Sequence, residues 1–241
     1  CHEQAAAHAA DGYARATGRT GVVIATSGPG ATNLVTGIAA AYMDSSPVVA
    51  ITGNVKTSLL GSDSFQEVDI AGVTMPVTKY SFIASGERGV AQDVREAFSI
   101  AQSGRKGPVL VDIPADIAAQ SEEYERAPKS EPAPAKEPEK AELERAAQMI
   151  EKAKRPLIYV GGGAISSGAS DALKTFAQKL HIPVACSMMG LGAYPCSAEL
   201  FLGLVGMHGN PAANMAALNC DLLIAAGARF SNRVAASKES F

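Results

Sequence analysis

A chain of 241 residues, 47% hydrophobic and with a formal charge of only −3, has apolar content for one large core or two ordinary ones, and two is the better expectation. The lack of a basic excess argues against nucleic acid or an anionic membrane surface as a partner. No apolar run reaches the length of a membrane span and the first residues lack the basic-then-apolar order of a signal peptide, so a cytoplasmic location is expected.

The chain opens CHEQAAAHAADGYARATG, which predicts a closely packed helix headed by an ionisable pair, His2 and Glu3. At that place a glutamate is most simply a first-turn acid facing the helix dipole. A strand is expected at 20–26, followed by SGPGATN, where two glycines bracket Pro29 and a helix is predicted to begin around Thr32 and Asn33. Such a turn lets a ligand approach the backbone and offers free amides to an acceptor atom, and an ordinary capped strand-to-helix turn accounts for it equally well. No GK[ST] follows, so it is not a Walker loop.

A second strand is predicted at 47–53 and a third at 108–114, with only about three strong strands in this half. Between them lie a polar loop, GSDSFQEVD, carrying Phe65 and Gln66, and Lys79 inside an apolar run, where a snorkelling lysine on an edge strand is the simple reading. Residues 88–102 place Val90, Val94, Ala97, Phe98 and Ala101 on one helical stripe. Residues 120–140 then hold four prolines among Glu and Lys, with almost nothing to bury, and predict a semi-extended linker.

A new amphipathic helix is expected from near Ala141, with Leu143, Ala147 and Ile150 on one face, and strands at 156–162, 182–188 and 221–227. VGGGAISSG supplies Gly161 and Gly163 for the first two glycines of GxGxxG but Ser166 for the third, a weak dinucleotide signal. Glycine-rich stretches at 188–195, 203–210 and 227–233 fall at or soon after strand ends, where α/β sheets bind ligands, and together suggest a long ligand. The four cysteines form no CxxC pair, and Cys186, Cys196 and Cys220 read as buried thiols; the four histidines show no metal spacing, so neither disulfide nor metal is expected. The chain lacks an initiator Met, starts on a helix and stops soon after a strand, which reads as an internal piece of a longer protein.

HEQAAAHAADGYARATG, ATSGPGATNLVTGIAAAYMDS, GSDSFQEVDI, GRKGPVLVDIP, MGLGAYP, GMHG and GARFSNRV occur in the order and approximate spacing of one family. The chain resembles the catalytic large subunit of acetolactate synthase, a thiamine diphosphate enzyme. The resemblance implies an α/β chain of two doubly wound parallel-sheet units: residues 1–120 part of the pyrimidine-binding domain, 121–140 a linker, and 141–241 part of the central FAD-binding domain. It implies decarboxylation of pyruvate and ligation to a second 2-oxo acid, pyruvate or 2-oxobutyrate, in branched-chain amino-acid synthesis.

Implied cofactors are thiamine diphosphate, FAD and Mg2+, the Mg2+ ligands lying outside these residues, so that this stretch alone is expected to be inactive. Implied partners are a second copy or three, with the active site at the subunit interface, and a small regulatory subunit. By the same resemblance Glu3 bonds the cofactor's pyrimidine ring from a dry pocket and shares its proton. Pro29 and Asn33 are pyrimidine-side contacts, and Gln66 is an active-site glutamine. Phe65, Lys79 and Arg233 line the substrate channel. Arg105, Gly162, Ser187, Met188, Gly206, Met207, His208, Gly227 and Arg229 contact FAD. The chain departs from the pattern at Cys1, often arginine, at Lys56 to Ser58, where proline and arginine are common, and at Asn232, where aspartate is usual. Two other readings are another thiamine diphosphate decarboxylase or carboligase, such as an oxalyl-CoA decarboxylase relative, and a nicotinamide-binding module built on VGGG.

Overall fold

The computed structural model describes residues 2–121, 123–124, 126 and 137–235. The chain folds as two compact units, Cys1–Ala135 and Lys136–Phe241. Most of the expected linker, residues 122, 125 and 127–136, lies outside the described residues. Among the described residues no helix is long and apolar enough to cross a membrane.

The first unit runs α1 (Glu3–Thr17), β1 (Gly21–Ala25), α2 (Pro29–Thr32), α3 (Val35–Asp44), β2 (Val48–Asn54), α4 (Ile70–Thr74), β3 (Tyr80–Ile83), α5 (Val90–Gln102), β4 (Val109–Pro114) and α6 (Ala115–Ala118). Its sheet has the order β1-β2-β4-β3 with every pair parallel. Alanines make the close packing of α1 possible: Ala7, Ala10 and Ala14 are buried, and a Cβ on Gly37 of α3 would run into Ala7. This layer, with Val23, Leu34 and Ile38, covers one face of the sheet, and α5, through Ala97 and Ala101 against Val49, Val109 and Val111, covers the other. β3 was not among the three strong strands expected. It is a four-residue edge strand, half exposed, whose pairing with β4 rather than its own pattern makes it a strand.

The second unit runs α7 (Lys140–Lys152), β5 (Pro156–Val160), α8 (Gly162–Ser166), α9 (Ser170–Leu180), β6 (Val184–Cys186), β7 (Phe201–Leu204), α10 (Pro211–Asn219) and β8 (Leu222–Ala226). A reciprocal capping box between Glu139 and Glu142 starts α7. The sheet order is β7-β6-β5-β8, again all parallel, and the carboxyl ends of β5, β6 and β8 are level: Val160 pairs with Cys186 on one side and Ala226 on the other. α9 packs on one face through Leu173 and Ala177, and Ala213 of α10 on the other. β7 was not anticipated: it is short, interrupted by Gly203, and paired across a register shift at Val184/Ala185. The thiols also differ from expectation. Cys186 is buried, and desolvation pushes its thiol up to about 11, but Cys220 is half-buried and Cys196, in the loop after Pro195, is exposed.

Candidate functional site

Residues 18–20 reverse the chain between α1 and β1, so the head of α1 lies at the carboxyl end of the sheet, beside the turn leaving β1. The helix expected near Thr32 and Asn33 is instead two: α2 starts at Pro29, in line with proline's fixed φ, and ends at Thr32 with Asn33 as its cap before α3 begins at Val35. Asn33 keeps right-handed helical dihedrals at that junction, and its Nδ2 donates to Glu3 Oε2 at 3.0 Å across 30 residues of sequence. His2 caps α1, its Nδ1 accepting from Gln4 N at 3.2 Å, and leaves Glu3 as the first helical residue.

The bond from Asn33, foremost, holds the Glu3 carboxyl below the usual carboxylate range. Within this chain Glu3 is half-buried, and its carboxylate accepts the bond from Asn33 at the edge of the sheet. The loop after β2 completes the cluster. Gly28 has φ +59°, and a Cβ there would stand 2.7 Å from Gln66 O, so the turn and the loop touch through backbone. Gln66 and Phe65 are exposed, Phe65 to 88%. Glu3, Pro29, Asn33 and Gln66 thus share one edge of one sheet.

Lys79 does not join them. β3 begins at Tyr80, so Lys79 stands at the amino edge, where Lys79 N donates to Pro108 O at 2.7 Å. Its ammonium donates to Ile100 O, to Ser103 O and, at 3.0 Å, to Ser103 Oγ, closing the carboxyl end of α5, and its partial burial lowers its pKa. In this unit, Lys79 and Phe65 are at opposite edges, because parallel strands send the loop after one strand and the entry to another to different ends. Arg105 shares the amino edge with Lys79: its Nε donates to Ser45 Oγ at 2.8 Å, and both line a pocket of about 400 Å³ together with Tyr42 and Lys106.

In the second unit, all four strands leave their carboxyl ends into loops that bond one another. Gly163 N donates to Gly227 O at 2.9 Å, Ser187 N to Val160 O at 2.9 Å, Val205 N to Cys186 O at 3.0 Å and Met207 N to Arg233 O at 2.8 Å. The glycines are demanded by these contacts: a Cβ on Gly163 would lie 2.8 Å from Gly227 Cα, and one on Gly206 would meet Arg233 O. The amide a nucleotide-binding turn would offer, Gly163 N, is spent on Gly227 O, which counts against the nicotinamide reading.

The interlocked loops bring Gly162, Ser187, Met188, Gly206, Met207, His208, Gly227, Arg229 and Arg233 to one edge of this sheet. They also leave Met188, Met189, Leu191 and Met207 exposed there, Met207 to 73%. That edge fits an apolar planar group better than a purely ionic one. Among the described residues no three His, Cys, Asp or Glu side chains are placed to hold a metal ion.

Two features were missed by the sequence reading. Thr57 N and Oγ1 donate to Asp116 at 2.9 and 2.5 Å, which gives the departing segment Lys56 to Ser58 its own fastening to α6. Asp112, in the apolar run of β4, is fully buried, and a lone acid in such a run was the available signal.

Two domain models match the chain: the N-terminal TPP binding domain of thiamine pyrophosphate enzymes over residues 1–73, and their central domain over residues 143–241. The chain is 50% identical over 243 residues to the acetolactate synthase large subunit of Corynebacterium glutamicum, covering all of this chain and 39% of that protein. It is 50% identical over 240 residues to the acetolactate synthase isozyme 2 large subunit of Escherichia coli, covering all of this chain and 44% of that protein. The chain therefore spans about two fifths of the length of these curated relatives. With two thiamine pyrophosphate enzyme domains in order along two parallel-sheet units, the chain belongs to the thiamine pyrophosphate enzyme family and is similar throughout to acetolactate synthase large subunits.

Proposed function

We propose that these residues are the pyrimidine-side and central parts of an acetolactate synthase large subunit. In this reading the full-length protein decarboxylates pyruvate and joins the remaining two-carbon unit to a second 2-oxo acid, with pyruvate or 2-oxobutyrate as acceptor, in branched-chain amino-acid synthesis. The observation that carries it is Glu3, ionised and oriented by Asn33 beside the Gly28–Gly30 turn. A carboxylate held this way accepts a hydrogen bond from a protonated ring nitrogen and favours that protonation. Thiamine diphosphate, when bound, supplies the electron sink for decarboxylation. Glu3 would then bias the proton on the pyrimidine ring, Asn33 would keep the carboxylate ionised and aimed, and Pro29 and Gln66 would hold the ring beside it.

In the second unit the apolar rim of Met188 and Met207, with Gly162, Ser187, Gly206, His208, Gly227 and Arg229, would hold FAD. The Mg2+ and diphosphate ligands would lie outside these residues, so this polypeptide alone should form no acetolactate. The openness of Phe65, Gln66 and Glu3 supports a homodimer or homotetramer in which a neighbouring subunit excludes water from the site. A small regulatory subunit is the further partner.

Glu3→Gln in the full-length protein tests the reading. Exchange of the cofactor's C2 proton should slow by about 10²–10⁴-fold, with an unchanged circular dichroism spectrum. Unchanged exchange would remove Glu3 from its role.

A further inference from the structure

Asp112 is a carboxylate with no exposed surface in the middle of a parallel sheet, and no step above uses it. Both of its oxygens are taken: Thr52 Oγ1 donates to Oδ1 at 2.6 Å and Asn54 Nδ2 to Oδ2 at 2.5 Å. A buried carboxylate is unfavourable without such partners, and an aliphatic side chain would fill the same strand position without that cost. The acid therefore serves its partners more than the sheet.

Asn54 is the last residue of β2. Its Oδ1 accepts from Val55 N at 2.8 Å, and its Nδ2 also reaches Val68 O at 3.4 Å, so one side chain links the buried acid to the far end of the loop that carries Gln66. The near end is tied by Glu67, whose carboxylate accepts from Gly61 N and from Ser64 N at 3.2 Å. Gln66 itself has φ +60°, in the left-handed region, where a side-chain-bearing residue persists only if its surroundings over-determine it. One wall is Gly28, where a Cβ would stand 2.9 Å from Gln66 Cβ.

We propose that Asp112 and Asn54 are positioning residues. Asp112 fixes the Asn54 amide, Asn54 fixes the loop at Val68, and the loop is thereby held with Gln66 pressed on the Gly28 turn next to Pro29 and Asn33. This rests on the reading of Gln66 as an active-site residue. Their action is through the loop, and neither is assigned contact with substrate or cofactor.

The test uses the full-length protein as wild type, Asn54→Ala, Gln66→Ala and the double variant. Asn54→Ala should speed amide hydrogen exchange across residues 61–68 while leaving the strands of the same sheet protected. It should also lower kcat by roughly tenfold to a hundredfold, and that loss should disappear when Gln66 is already alanine. Asp112→Asn, which keeps the size but supplies one acceptor in place of two, should reproduce the exchange pattern if it folds; the Asn54 series decides the matter if it does not. Unchanged exchange in 61–68 with Asn54→Ala would overturn the proposal, as would a kcat loss that adds to that of Gln66→Ala. If Gln66→Ala leaves kcat unaltered while the loop still responds to Asn54→Ala, the role of Gln66 fails and the anchoring stands.

Discussion

Glu3 shows how one residue can be legible as chemistry and not as environment. An acid at the head of an alanine-rich helix was visible in the sequence, but its partner, Asn33, lies 30 residues on and meets it only because the head of α1 and the segment leaving β1 come to the same edge of the sheet. The consequence is electrostatic. Asn33 draws the Glu3 pKa down, so the folded value lies below the unfolded one. The stabilisation is present above the unfolded pKa and lost as pH falls through the folded one. Asn33→Ala should therefore let the Glu3 carboxyl titrate at higher pH, a shift seen directly by following its carbon resonance by NMR; an unmoved titration would deny Asn33 that influence.

At the scale of elements, Lys79 shows what a local pattern leaves open. A lysine in an apolar run looks the same whether it lines a channel or closes a helix, because both uses bury the stem and need acceptors near the ammonium. Its distinction lies in the acceptors, the carbonyls of Ile100 and Ser103 at the end of α5. Lys79→Ala should lower unfolding stability by about 1 kcal/mol, measured by urea denaturation, because those carbonyls lose their cation. The same change should leave the pyruvate KM of the full-length protein unaltered, whereas a substrate-channel role would raise it. β3 and β7 belong at this scale too. Four residues with no alternation of burial carry no period of their own, and each becomes a strand by pairing at the edge of a sheet.

For the molecule as a whole, the glycine-rich loops of the second unit have two explanations at different levels. Their glycines are required by loop-to-loop backbone contacts such as Gly163 on Gly227, whatever they bind. Their exposed methionines are not required by packing, and they support the flavin reading. The full-length protein should accordingly purify with flavin absorbance, and added FAD should raise the unfolding temperature of flavin-stripped protein. A colourless protein with no such rise would count against FAD.

The sequence by itself determined the fold class, the long helices, the apolar strands and the glycine turns, because periodicity and turn chemistry act over a few residues. The tertiary structure decided which of those features share an edge: Glu3 with Asn33 and Gln66, Lys79 with Arg105, and Asp112 with the loop it anchors. The physical reason is that partners across a crossover connection are set by strand order and packing, which no short stretch of sequence encodes alone.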